Sequence, residues 1–388
     1  MRSVLIKSPK GLSTRYGTRV PRKARSQKPK PSRKAPIKPI KNIAVLTSGG
    51  DSPGENIYIY DIVNFGGRRD LRFYGYQWGF EGLIDGKVER LTRPNVHERL
   101  LWRNTLLGTS RSHRFKSKEF RDKAFKRLRT RKDRIDALIG VGGNGTLLAL
   151  KEFQSEHPNF PMYFVPASID DDILESRTIG FNTAVNNGVE LIRKLYSTSS
   201  SLPRGFFVEV MGRYSGRLAL EIATGNINPD LVLLPEIPVH IDALCERLEE
   251  HPVRGWQEQM VIVAEGAKIR GSRSIRGTFP KGPTGPYLAD LLTKEVLSRT
   301  NLVFRSQVLG HLLRGGPVVP RDSIWASIIA RATVDQLLKG EGGKLIGVQD
   351  EKSRVLSLED CSGERRPLGE DRLEEARDMK LILPKYVP

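Results

Sequence analysis

From Asn42 onward, apolar residues come in short continuous runs rather than in strict alternation. NIAVLT (42–47), RFYGY (72–76), DALIGV (136–141), MYFVPAS (162–168), GFFVEVMG (205–212), DLVLLPE (230–236) and QMVIVAE (259–265) each read as a strand buried on both faces. Helical spacing fills most of the intervals, for example around Asn182–Leu195 and Leu288–Leu297. Strands separated by helices predict mostly parallel sheets covered on both sides, an α/β architecture. Several of these strands end in Gly, Ser or Asp clusters, which is where open α/β sheets take their ligands. The chain shows no internal repeat, and no apolar run approaches the roughly eighteen residues that a membrane-spanning helix needs.

Charge changes the picture at one end. Of the 64 Lys and Arg residues, fourteen lie between Met1 and Lys41, and no acid precedes Asp51. The net charge of +20 is therefore mostly the property of a basic, low-complexity extension over residues 1–41. With six prolines and few large apolar residues, that extension buries too little to offset its own chain entropy. It fits a solvated extension, an organelle-targeting peptide, or an arm gripping RNA or another polyanion. A cytoplasmic and an organellar location, mitochondrial included, are both compatible with it. A second basic run, Arg111 to Arg134, holds twelve Lys and Arg residues against three acids. Phe120, Ala124 and Leu128, with Phe125 beside them, predict an amphipathic helix whose charged face is solvated or turned toward nucleic acid. No zinc finger or RNP-type aromatic signature accompanies it, so any nucleic-acid contact would be electrostatic. Two cysteines, Cys245 and Cys361, supply neither a disulfide framework nor a four-ligand zinc site.

Candidate chemistry follows the strands. TSGGDSPGEN (47–56) and GVGGNGT (140–146) are both strand–glycine–helix passages, in which backbone N–H groups and a helix N-terminus can meet phosphate. PASIDDD (166–172) closes another strand with three consecutive acids, suited to taking a proton from a hydroxyl and to holding a metal. EVMGRYSG (209–216), with Arg204 seven residues before Met211, and FRSQVLGHLLRGG (304–316), with Arg305, His311 and Arg314, offer forked donors suited to a sugar phosphate.

These motifs, together with LGTSR (107–111) and LLPE (233–236), occur in an order that resembles the 6-phosphofructokinase family over essentially all the chain beyond the extension. The resemblance implies two three-layer α/β/α domains: a nucleotide-phosphate domain over 42–181 plus 313–363, and a sugar-phosphate domain over 182–312 plus 364–388. It implies ATP and Mg²⁺ as cofactors, and fructose 6-phosphate or a similar sugar phosphate as acceptor. Asp170 matches the base for the sugar's 1-hydroxyl, Asp172 the neighbouring carboxylate, and Ser168 a hydroxyl on the transferred phosphoryl group. Arg213, Met211 and Gly212 match the sugar-phosphate loop, and Glu236 a substrate-hydroxyl acceptor. Arg204 and Arg305 match arginines that reach across from a neighbouring subunit, which implies a homo-oligomer, and His311 and Arg314 complete that pocket. Gly49, Arg111, Gly143, Gly145 and Thr146 match the nucleotide-phosphate site, and Asn144 and Asp172 its metal positions.

The departures are as specific. Gly145 and Ala167 or Ser168 stand where pyrophosphate-using relatives carry an Asp and a Lys, which favours ATP. Asn144 replaces the family's metal-site Asp and removes a negative charge. Glu55 replaces a methionine and is expected to add one near the phosphates. Tyr60 and Asn64 stand in place of arginines for an allosteric nucleotide, and Arg103 and Asn104 replace a glycine pair. Two expectations result: an ATP-dependent 6-phosphofructokinase, or a weak or inactive relative serving as an RNA-contacting subunit of a large assembly such as an organellar ribosome.

Overall fold

A computed structural model of the chain describes residues 39–100, 105–130, 134–199, 201, 204–226, 229–250, 259–275 and 286–384. Its first strands are β1 (Asn42–Ser48), β2 (Arg72–Tyr76), β3 (Val88–Leu91), β4 (Ala137–Gly142) and β5 (Met162–Pro166). Then come β6 (Gly205–Val210), β7 (Leu231–Leu233), β8 (Val239–His240), β9 (Met260–Ala264), β10 (Ile269–Arg270) and β11 (Phe304–Val308). The last two are β12 (Lys344–Gln349) and β13 (Lys352–Ser357). The helices are α1 (Glu55–Gly67), α2 (Gly79–Asp85), α3 (Arg93–Arg99), α4 (Lys118–Thr130), α5 (Asn144–Glu156) and α6 (Phe181–Ser199). They continue with α7 (Arg217–Thr224), α8 (Ile241–Glu249), α9 (Leu288–Arg299), α10 (Pro320–Lys339) and α11 (Glu370–Asp378).

Two main sheets organise these elements, and β8 and β10 form a separate parallel pair. The larger has seven strands in the order β13-β12-β5-β4-β1-β2-β3, parallel except at the β12–β13 and β2–β3 edges. Alternate residues of its central strands serve opposite faces. Ile43, Val45, Ile139 and Val141 pack with Tyr58 and Ile62 of α1 and Ile329 of α10. Ala44, Leu46 and Leu138 pack with Leu83 of α2, Leu128 of α4 and Leu147 of α5. The smaller sheet, β11-β6-β9-β7, is wholly parallel. Val208 and Ile262 meet α6 and α7 on one side, while Phe207 and Val263 meet α8 and α9 on the other. The continuous apolar runs are thus explained by burial on both faces. The α/β class expected from the pattern is the class observed.

β11 (FRSQV) and β13 (KSRVLS) carry no such run, because each is the edge of its sheet and leaves polar side chains to solvent. The basic run, in turn, does not form one helix from Arg111. Arg114–Lys116 is a separate 3₁₀ turn, and α4 begins only at Lys118. Ala124 and Leu128 are buried as expected, but so is Arg121. Its guanidinium donates to the carbonyls of Phe115 and Lys116 at 3.0 and 2.7 Å and to the Glu156 carboxylate at 2.9 and 2.8 Å. Arg114 pairs with Glu81 and Asp85, and Lys118 with Asp122. Several cations expected to face a polyanion are therefore matched to the chain's own acids. Residues 131–133 at the end of this run, residues 1–38 of the extension, and Arg103 and Asn104 lie outside the described residues.

The chain leaves β1 toward β2 on one side and returns to β4 on the other, so strand order reverses between β1 and β4. A reversal of this kind opens a crevice at the carboxyl ends of the strands, since the following loops diverge in opposite directions. Both glycine-rich loops emerge there.

Candidate active site

The crevice is a cavity of about 520 Å³. Of the residues singled out in the sequence it gathers Gly49, Arg111, Gly143, Asn144, Gly145, Thr146, Ser168, Asp170, Asp172, Arg213 and Arg314. The loop after β1 turns at Gly49, where φ is +103°. Thr146 Oγ1 donates to the Ser48 carbonyl at 3.0 Å and so ties the second glycine loop to the end of β1. A side chain at Gly142 would run into that same carbonyl oxygen, whereas a Cβ at Gly145 would have open space around it. The first glycine is there for close backbone approach, and the second leaves ligand room at the start of α5. Arg314 donates to the Asp51 carbonyl at 2.6 Å and lies 3.0 Å from where a Cβ of Gly50 would be.

The three consecutive acids divide the work. Asp171, at φ +48°, turns away from the cavity and is fully buried. It accepts from Arg177 at 2.7 Å, the Thr178 amide at 3.0 Å and Arg366 at 3.2 Å, with Arg217 at 4.0 Å. Asp172 is buried and paired with Arg365. Burial, reinforced by Asp170, pushes its carboxyl up to about 6 against the pull of Arg365. Asp170 remains partly exposed on the cavity floor, its amide donating to Ser168 Oγ at 3.2 Å. Burial raises its pKa, while Arg314, Arg365, Arg111 and Arg213 act in the opposite sense. A carboxylate raised toward neutrality yet surrounded by guanidinium groups is suited to accept a proton from a hydroxyl beside a phosphate.

The expected negative charge of Glu55 is absent. Its carboxyl is fully buried, accepts from Thr105 Oγ1 at 2.8 Å, and is pushed up to about 8 by burial. It is neutral at pH 7 and braces the 105–107 loop together with Asn56, whose Oδ1 accepts from the Leu106 amide at 2.6 Å. Asn144 leaves its Oδ1 buried without a hydrogen-bond partner. That oxygen can meet a cation only as a neutral ligand. The second expected metal position, Asp172, is already engaged by Arg365. Among the described residues no group of three or more His, Cys, Asp or Glu side chains could hold a metal. The donor set therefore does not fit a protein-held Mg²⁺, which favours carboxylate oxygens.

Met211, Gly212, Glu236, Arg204, Arg305 and His311 do not line this cavity. Met211 packs against the core of the smaller sheet, and Gly212, at φ +137°, would bring a Cβ within 2.8 Å of the Ser215 carbonyl. Glu236 accepts the Gly216 amide at 2.9 and 3.1 Å and so caps α7. Arg204 lies over Phe206 at 5.6 Å, and Arg305 and His311 are exposed. The pairing of Phe304 with Gly205 places Arg204 and Arg305 at the same end of adjacent strands. Sequence reasoning missed Arg365 and Tyr214, which line the cavity with the guanidinium 4.4 Å from the ring centre. The only signal was a pair of arginines in ERRP, far along the chain from the acids they serve.

Residues 42–337 match the family model described as Phosphofructokinase. The "ATP-dependent 6-phosphofructokinase" of Natranaerobius thermophilus is 36% identical over 322 residues, 83% of this chain and 93% of that protein. The Bacillus subtilis protein of the same name is 36% identical over 314 residues, covering 81% and 91%. Among solved structures, Pichia pastoris phosphofructokinase in the T-state superposes with a TM-score of 0.72 at 28% identity. That match covers 88% of this chain but only 39% of the longer yeast chain. A pyrophosphate-dependent phosphofructokinase from Marinobacter aquaeolei also gives 0.72, at 18% identity and covering 90% and 93%, a likeness of fold alone. With its motifs in order, its glycine loops at the strand reversal and this likeness over most of its length, the chain belongs to the phosphofructokinase family.

Proposed function

We propose that the protein is an ATP-dependent 6-phosphofructokinase, transferring the γ-phosphoryl group of ATP to the 1-hydroxyl of fructose 6-phosphate. The observation that carries this reading is Asp170, a carboxylate in the loop that follows β5, facing the cavity among Arg111, Arg213, Arg314 and Arg365. The acceptor oxygen attacks the γ-phosphorus as the bond to ADP breaks, and Asp170 takes the hydroxyl proton. Arg111, Arg213 and Arg314 offset the charge that spreads over the transferred group, and the loops at Gly49 and Gly143 hold the donor in line. Ser168 lies beside the path of transfer, and the space at Gly145 favours a nucleotide over pyrophosphate. The names of the bacterial relatives support the same donor.

The lobe built on the larger sheet takes about 42–181 and 313–363 in this proposal, and the rest belongs to the lobe of the smaller sheet. Met211, Gly212 and Glu236 then bind the sugar, and Arg204, Arg305 and His311 complete the phosphate pocket across a subunit boundary. The test is formation of fructose 1,6-bisphosphate by the purified chain supplied with Mg²⁺, fructose 6-phosphate, and ATP or pyrophosphate. ATP-dependent turnover that Asp170→Asn lowers by about 10²–10⁴-fold is the expected result. Activity should also fall with decreasing pH, because a protonated Asp170 cannot accept the hydroxyl proton. No product with either donor would retire the kinase reading in favour of an inactive relative.

A further inference from the structure

We propose that Arg365 is the fixed cation of the donor-phosphate site, so that polyphosphate binds here without a divalent metal. The proposal rests on reading the cavity as the donor site. Arg365 sits on Asp172, the carboxylate that would otherwise face a metal, and stacks over Tyr214 with its charge 4.4 Å from the ring centre. Its backbone is fixed as well. Ile173 and Arg365 form an antiparallel bridge, and the Arg366 amide donates to the Asp172 carbonyl at 2.9 Å. The next side chain, Arg366, is buried on Asp171, so the two arginines are stitched along the acid loop one after the other.

A guanidinium carries five N–H donors in a rigid fork, and one carboxylate engages about two of them. The remainder are free for phosphate oxygens. Five cationic side chains, Arg111, Lys116, Arg213, Arg314 and Arg365, line the cavity against three carboxylates, Glu152, Asp170 and Asp172. Its charge therefore suits an anion even before any metal arrives. Asn144, neutral and with an unpartnered Oδ1, brings no negative charge to the same cavity that Arg365 lines with a positive one.

The experiment is titration calorimetry of the full chain with a non-hydrolysable imido analogue of ATP and with tripolyphosphate, each in EDTA and in Mg²⁺. Wild-type protein should bind both ligands in EDTA, within about threefold of its affinity in Mg²⁺. In Arg365→Gln, metal-free affinity should fall about tenfold or more, and Mg²⁺ should restore part of it because Asp172 is released. Arg365→Lys, which keeps the charge but loses the fork, should fall between. Thermal melts establish that both variants are folded. The altered metal dependence is a readout that a merely structural Arg365 would not move. Wild-type binding only in Mg²⁺, or equal metal-free binding by Arg365→Gln, overturns the proposal. Tripolyphosphate binding without nucleotide binding would instead strike the ATP reading and leave the part played by Arg365 standing.

Discussion

A carboxyl group removed from water, with one hydroxyl as its side-chain partner, keeps its proton far above the ordinary carboxylate range, and Glu55 is in that position. Its pKa rises from 4.5 to about 8 on folding, so the folded state holds this proton more tightly than the unfolded chain does. The resulting stabilisation is complete below pH 4.5 and is lost progressively as pH rises through about 8. Glu55→Gln keeps an acceptor for Thr105 and removes the titration. The variant should match wild type in acid and exceed it at pH 8 by about 2 kcal/mol or more, as read from denaturant unfolding across pH. Nothing in GGDSPGEN distinguishes a buried neutral Glu from an exposed charged one, since burial depends on the distant 105–107 loop. The SIDDD run shows the same division. The resemblance singled out Asp170 and Asp172, and the cavity takes both, but nothing in the run itself shows that Asp171 turns away. Arg177, Arg217, Arg365 and Arg366 decide that, and three of these come from elsewhere in the chain.

At the scale of elements, the glycine loops were the most readable part of the site, because a strand–glycine–helix passage is written in consecutive residues. Gly142 and Gly145, only three positions apart, should nevertheless respond oppositely to the same change. Gly142→Ala forces a methyl group into the Ser48 carbonyl and should cost about 2 kcal/mol or more of stability. Gly145→Ala meets open space inside α5 and should leave the fold as stable as before or stabilise it by about 0.5 kcal/mol. Its methyl would then occupy donor space, so the KM for ATP should rise while Tm does not fall. Paired melts and steady-state kinetics check both outcomes. The basic run failed as one long helix for a related reason: periodicity marks a buried stripe but not where a helix starts. Here the chain first makes a 3₁₀ turn, and Arg121, counted as surface charge, fastens that turn to α4 and α5.

At the scale of the whole molecule, the residues proposed to bind phosphate fall into those within the cavity and those outside it. Arg305 is exposed on an edge strand outside the cavity, and the proposed reaction would use it from a second subunit. Arg305→Ala should raise the KM for fructose 6-phosphate about tenfold or more with little change in the KM for ATP. Kinetics on fractions resolved by light scattering should find turnover in the oligomer and little in any monomer. The parallel sheets were legible in their apolar runs, whereas the edge strands β11 and β13 were not, because their solvent-facing polar side chains weaken the pattern. The late position of ERRP bears on synthesis. On a ribosome both glycine loops and all three acids emerge well before residue 365, when Asp171 has Arg177 and Arg217 but not Arg366, and Asp172 still lacks Arg365. Until then the acid cluster is short of two of its four arginines. Synthesis through residue 366 is thus the step that completes the charge balance around the acid loop.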